Sequence, residues 1–283
     1  MADSEKQLTV RDHSRDAVDM TYVYPVVSRR AGGVSVGINL NPNNACNWRC
    51  VYCQVPDLKR GGPPPIDLAR LRSELDAMLD LILHGDFMQL RVPEGARRLM
   101  DVAFSGNGEP TSAAEFPEAV RLVADVLEQR GLKEGVRLRL ITNGSLLDRT
   151  GVRDGIAALG QAGGEVWFKL DRGTRAGIAA VNDVSIEPAT ALKRLRACSA
   201  LCPTWVQSCW FSMDGVPPGA AEQTAFVELL AAAVPSLAGV HLYSLARPSL
   251  QPEAPRLGAL DEAWLEALAR QLRDLGLKVV VSP

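Results

Sequence analysis

Short apolar segments, rich in β-branched residues, alternate with amphipathic helical patterns along most of the chain. This alternation constrains the fold more than any other feature. Val34 to Leu40 reads as a first strand, Asp101 to Phe104 as a second, Val136 to Ile141 as a third and Glu165 to Leu170 as a fourth. Trp205 to Met213 and Val240 to Leu245 give a fifth and a sixth, and Leu277 to Val281 a short last one. Between them, Asp67 can cap a helix running to about His84, with Leu68, Leu71, Leu75, Leu79 and Ile82 on one face. Further helices are predicted over Glu115 to Arg130, Asp154 to Leu159, Pro188 to Leu201, Glu222 to Val234 and Asp261 to Leu275. Gly131 and Pro203 stop two of them. Strands that alternate with helices predict a parallel sheet with helices outside it. Six or seven such units are too few for a closed eight-fold barrel.

The chain has 283 residues, 47% of them apolar and 23% charged, which is ordinary for a soluble globular protein. A net charge of −2 gives no global basic field for nucleic acid. The first residues lack the apolar core of a signal peptide, and no apolar run approaches membrane length. A cytoplasmic protein without a membrane span is expected. Six cysteines in a chain this size do not make a disulfide framework. No internal repeat and no linker divides the chain, so residues 1–33 are taken as an N-terminal extension and residues 34–283 as one domain.

The densest chemistry is Cys46, Cys50 and Cys53, spaced C-x3-C-x2-C, with Tyr52 directly before the last cysteine. Three thiolates this close can each ligate one iron of a cubane [4Fe–4S] cluster and leave the fourth iron open. A zinc site would typically want a second cysteine pair, and none stands at a suitable spacing. After the second strand comes Ser105-Gly106-Asn107-Gly108-Glu109-Pro110-Thr111, whose glycines let backbone approach a ligand closely.

Together these segments resemble the radical S-adenosylmethionine (radical SAM) superfamily. The triplet is similar to that family's cluster loop, and Gly106 to Glu109 to its "GGE" motif, with Gly-Asn-Gly in place of Gly-Gly. Tyr24 to Arg30 and Gly33 to Leu40 look like a stretch found in the broad wyosine-type tRNA-modifying subgroup. The resemblance implies a partial (β/α)6 TIM-like barrel, open on one side, with the site at the C-terminal strand ends. It implies one [4Fe–4S] cluster on Cys46, Cys50 and Cys53, with S-adenosylmethionine chelated to the open iron. It also implies a one-electron donor such as flavodoxin or ferredoxin, and cleavage of the sulfonium to a 5′-deoxyadenosyl radical. Tyr52, Gly106, Asn107, Gly108 and Glu109 are then expected beside the cofactor.

Other strand ends add candidates. Asn143 lies in a Thr-Asn-Gly similar to one in relatives, and Lys169 and Asp171 share a face with Trp167. All three are cofactor-binding candidates, although Asn-Gly is also a common turn and Lys169 and Asp171 could pair with each other. Gln207 and Cys209 share a face with Phe211 and Met213, and His241 and Tyr243 with Arg247. Gln207, Cys209, His241 and Tyr243 are substrate-pocket candidates if these polar faces point inward, away from the apolar helices. Cys198, Cys202 and Cys209 are expected to carry no second cluster, because a helix end and a strand do not bring them together. His13, His84 and His241 have no metal-ligand spacing. Arg29 and Arg30 could hold an anionic group.

Two substrate readings stay open. One is a radical enzyme acting on a nucleotide or RNA base, with Arg97, Arg98, Arg137 and Arg139 as a basic hint. The other is an activase or maturase acting on a protein or peptide. A non-catalytic iron–sulfur protein is a more remote third, since an open iron beside a cofactor loop has little structural purpose.

Overall fold

Successive side chains of a strand point to opposite faces of its sheet, and in this chain those faces differ sharply in polarity. The computed structural model describes Leu8 and residues 19–28 and 31–282. The hairpin of β1 (Val23–Ser28) and β2 (Gly33–Ile38) comes first. The loop after β2 holds two paired two-residue strands, β3 (Ala45–Cys46) and β4 (Lys59–Arg60). Helices α1 (Leu68–Leu83) and α2 (Phe87–Arg91) lead to β5 (Leu99–Phe104). Next come α3 (Phe116–Gln129), β6 (Arg137–Thr142), α4 (Thr150–Gln161) and β7 (Glu165–Lys169). Helices α5 (Arg175–Asn182) and α6 (Pro188–Ser199) precede β8 (Thr204–Cys209) and β9 (Phe211–Met213). The chain continues through α7 (Ala220–Ala231), β10 (Gly239–Tyr243), β11 (Leu257–Ala259), α8 (Glu262–Asp274) and β12 (Val279–Ser282).

The main sheet has the order β1-β2-β5-β6-β7-β8-β10-β12, and every pairing after β1–β2 is parallel. It is a curled half-barrel, the partial TIM-like barrel of an α/β protein. The outward side chains, among them Val36, Ile38, Val102, Phe104, Leu140, Val166, Val206 and Leu242, are fully buried in the main core under the helices. α3 contributes Phe116, Val120, Val123 and Leu127 to that core, each stabilising by roughly 1.5–3 kcal/mol. The inward side chains are Ser35, Asp101, Arg139, Trp167, Lys169, Gln207, Cys209 and Tyr243, which line one cavity. No helix among the described residues is long and apolar enough to cross a membrane.

Helix α1 forms as its pattern predicts, with the Asp67 carboxylate accepting from Arg70 N–H at 3.0 Å. Several expectations change. Within the stretch taken as an N-terminal extension, β1 pairs antiparallel with β2 along its whole length. Glu74 of α1 holds its start, accepting from the backbone N–H groups of Thr21, Tyr22 and Val23. The fifth strand breaks at Trp210, whose indole packs outward on Phe226 and Trp264. Phe211–Met213 then pairs with β11 instead of continuing in the main sheet. Helix α5 has no counterpart among the predicted elements. Thr174 caps it, accepting from Gly177 N–H at 2.9 Å.

Candidate functional site

The loop between β2 and α1 is shaped by three asparagines. Asn39 Oδ1 accepts from Asn41 N–H and Asn107 N–H, both at 3.0 Å. Asn41 Nδ2 donates to Ala45 O at 3.0 Å, and Asn44 takes a left-handed φ of 56°. These bonds bring the loop against the loop that follows β5. The two pass so closely that a Cβ at Gly108 would stand 2.1 Å from Ala45 O, and one at Gly106 2.4 Å from Asn39 Oδ1. The Gly106–Glu109 glycines are therefore required first by loop-on-loop packing.

Cys46, Cys50 and Cys53 are half-buried free thiols on the wall of one cavity of about 290 Å³. Cys46 Sγ receives the Trp48 N–H at 3.5 Å, and Cys50 Sγ receives Asn182 Nδ2 at 3.3 Å. From the other side, Ser249 Oγ donates to Val51 O at 2.7 Å, Leu250 N–H to Cys53 O at 2.9 Å and Gln251 Nε2 to Val55 O at 3.1 Å. Burial pushes the Cys46 thiol up to about 11 and the Cys50 thiol up to about 12. Metal-free, both thiols are neutral, so metal ligation must displace their protons.

Glu109 is buried beneath the same cavity, and burial raises its pKa despite four hydrogen bonds. Its Oε1 accepts from Thr111 N–H, Thr111 Oγ1 and Thr142 Oγ1, and its Oε2 from Asn143 N–H at 2.7 Å. Asn143 Nδ2 in turn donates to Asn47 Oδ1 at 2.9 Å, tying the end of β6 to the cysteine loop. Asn107 Nδ2 donates to Asn44 Oδ1 at 2.6 Å. Tyr52 is buried on the cavity wall with Lys169 Nζ 5.0 Å above its ring. Burial opposes the Lys169 charge, but nearby negative charge, that of Asp171 included, outweighs it and raises its pKa.

The structure brings Tyr52, Gly106, Asn107, Gly108, Glu109, Asn143, Lys169, Gln207, Cys209 and Tyr243 to the cavity with the three thiols. Two expected residues stand apart. Asp171 is turned behind the cavity wall. Its Oδ1 accepts from Cys209 N–H at 2.8 Å, and its Oδ2 from Tyr52 Oη and Asn182 Nδ2, both at 2.7 Å. That leaves it an internal anchor. His241 lies deeper on the inner face, between the rings of Trp167 and Trp205 at centroid distances of 4.6 and 4.7 Å. Cys198 and Cys202 sit in the outer core, on the opposite side of the sheet from Cys209. Arg139 points into the barrel onto Asp101 and Glu165. Arg97 folds back on Val92 O and Gln89 O, and Arg137 on Gly163 O. Of the four arginines in the basic hint, only Arg139 is withdrawn into the barrel and paired with carboxylates, while Arg97, Arg98 and Arg137 stay exposed. Arg29, Arg30 and His13 lie outside the described residues. Asn47 and Asn182 carry no local signal in the sequence, because their side-chain partners come from distant segments.

A structure of a radical SAM methyltransferase from Sphaerobacter thermophilus is similar to this chain with a TM-score of 0.59 and 14% identity. The likeness covers 92% of this chain and 68% of that one. A mutant spore photoproduct lyase, with bound AdoMet and dinucleoside spore photoproduct, gives a TM-score of 0.50 at 11% identity, over 84% of this chain and 73% of that one. At such identities these likenesses show the fold. Among curated proteins, one described as GTPase Obg from Brachyspira hyodysenteriae is 23% identical over 129 residues. That match covers 46% of this chain but only 16% of the relative's length. Three half-buried thiols on one cavity wall, with N–H donors aimed at two of the sulfurs, fit a thiolate-held cluster. The Radical SAM superfamily model matches residues 40–223, so the chain belongs to the Radical SAM superfamily of enzymes, which use a [4Fe–4S] cluster and S-adenosylmethionine.

Proposed function

We propose that this chain reductively cleaves S-adenosylmethionine and acts on a nucleotide or RNA base. The observation that carries the cleavage reading is the convergence of Cys46, Cys50 and Cys53 with the Gly106–Glu109 and Asn143 loops on one cavity. Those thiols would hold the cluster. When bound and reduced by an external one-electron donor, it would supply the electron that breaks a carbon–sulfur bond of the cofactor, giving methionine and a 5′-deoxyadenosyl radical. Lys169, half-buried on the cavity wall beside the thiols, offers a cation to the carboxylate end of the cofactor. The loop from Gly106 to Glu109 lines the cavity beside the thiols and would meet the methionine end. The remaining wall suits a heterocycle with several polar atoms. It carries the hydroxyls of Tyr24, Ser28, Ser35 and Ser105, the Gln207 amide and the Tyr243 ring. A cavity shared with the thiols would bring such a heterocycle within the close approach that hydrogen transfer needs.

Anaerobic reconstitution should load about four irons per chain, and changing Cys46, Cys50 and Cys53 together to alanine should abolish them. With dithionite and S-adenosylmethionine, the loaded chain should release 5′-deoxyadenosine, faster when the right substrate is added from a panel of nucleosides, tRNA and peptides. Full iron in the triple variant, or no cleavage product, would refute the reading. Stimulation by peptides alone would replace the nucleotide substrate with an activase or maturase role.

A further inference from the structure

Asn182, the last residue of α5, is 2% exposed and stands 132 positions from Cys50 in sequence. Its Nδ2 lies 2.7 Å from Asp171 Oδ2 and 3.3 Å from Cys50 Sγ. Both Asp171 oxygens accept hydrogen bonds, from Cys209 N–H and Tyr52 Oη, so the amide nitrogen of Asn182 is the atom that faces Oδ2. Its other hydrogen is then left to the sulfur. Asp171 cannot turn away, because Cys209 N–H and Tyr52 Oη hold its two oxygens. The end of α5 is also stitched to the cysteine loop. Val51 N–H donates to Val181 O at 2.9 Å, Arg49 N–H to Asn182 O at 3.4 Å, and the Arg49 guanidinium pairs with Asp183 at 3.0 Å. Asn182 therefore keeps its place against Cys50 through both side-chain and backbone contacts.

We propose that Asn182 is a positioning residue whose N–H···S hydrogen bond to Cys50 raises the reduction potential of the cluster. The inference rests on the assignment of that cluster to Cys46, Cys50 and Cys53. One-electron reduction by an added reductant puts extra negative charge on the cluster and its sulfurs, and hydrogen bonds to the sulfurs are one of the levers that set its potential. A donor aimed at a ligating sulfur stabilises the reduced form, and the partner that orients the donor belongs to the same outer shell. Asp171 fills that part. No bond forms or breaks at Asn182.

The test uses the full chain, reconstituted anaerobically, with no substrate and no S-adenosylmethionine. Asn182→Leu keeps the branched side-chain shape and removes the donor, and Asn182→Ala removes it with less bulk. In a dithionite titration followed by paramagnetic resonance, each variant should reduce about tenfold less readily, a downward shift of about 59 mV for a one-electron couple. Deuterium exchange of the native chain should place exchangeable deuterons close to the reduced cluster by ENDOR, and Asn182→Leu should lose one of them while the Trp48 N–H on Cys46 keeps its own. Iron-loaded variants with native potential and a native deuteron signal would overturn the inference. A native cluster with no close deuteron would overturn it even if neither variant folds. A native chain that takes up no iron would instead overturn the cluster assignment, and this inference with it.

Discussion

Replacing Arg139 with methionine should expose how the barrel interior is held together. Arg139 sits on the inner face of β6, with its side chain 15% exposed, and pairs with Asp101, 3% exposed, and with Glu165 at 2.7 Å. Its guanidinium also lies 4.7 Å from the Trp167 ring centre. Ser35 Oγ donates to the other Asp101 oxygen, and Trp167 Nε1 to Glu165 Oε1 at 3.0 Å. Methionine would fill much of the volume but leave a buried carboxylate without its cation, which costs about 3–5 kcal/mol. The deficit should depend on pH. Burial already raises the Asp101 pKa, and Arg139 and Ser35 pull it back down. Without Arg139 it must rise further above its unfolded value of about 3.9. The native variant then binds more protons than its unfolded chain, so its stability falls as pH climbs from that value to the new folded pKa. Urea unfolding followed by circular dichroism, between about pH 5 and about pH 8, should show the deficit growing with pH. Adding Asp101→Asn should recover much of it. A loss below about 1 kcal/mol, or one that does not change with pH, would refute a buried ion pair here.

Three further outcomes are expected. Glu109→Gln should destabilise by about 1–3 kcal/mol, because an amide cannot accept from all of the donors on Glu109 and one buried N–H is left unpaired. Thermal melts of the metal-free chain would read this, and an unchanged midpoint would argue against it. Gly144→Ala should lose about 1–3 kcal/mol to overpacking, since its φ is +67° and the new Cβ would stand 2.1 Å from the Phe168 ring; a native urea midpoint would contradict that geometry. Replacing Cys198, Cys202 and Cys209 together with alanine should leave iron per chain unchanged after reconstitution, because the first two lie across the sheet from the third. Loss of about half the iron would point to a second cluster.

The sequence alone determined the alternation of strands and helices, the parallel sheet, the helix capped by Asp67 and the grouping of the three thiols in one loop. These are local properties. Side-chain period, capping residues and short-range spacing act within a few turns of chain, and they register without knowledge of distant contacts. Only the tertiary structure decided which expected site residues face the cavity. Asp171 belongs to the same strand end as Lys169, yet three donors from separate segments hold it behind the wall, whereas Lys169 faces the thiols. Arg139 reads as part of a basic group until β5 and β7 set Asp101 and Glu165 beside it inside the barrel. β1 joins the sheet by pairing with β2, and Glu74 of α1, about fifty residues on, receives the backbone groups at its start. Asn182 meets Cys50 only once α5 docks against the cysteine loop. A buried polar group finds its partners where the fold brings donors and acceptors together, and most of those partners are far away along the chain.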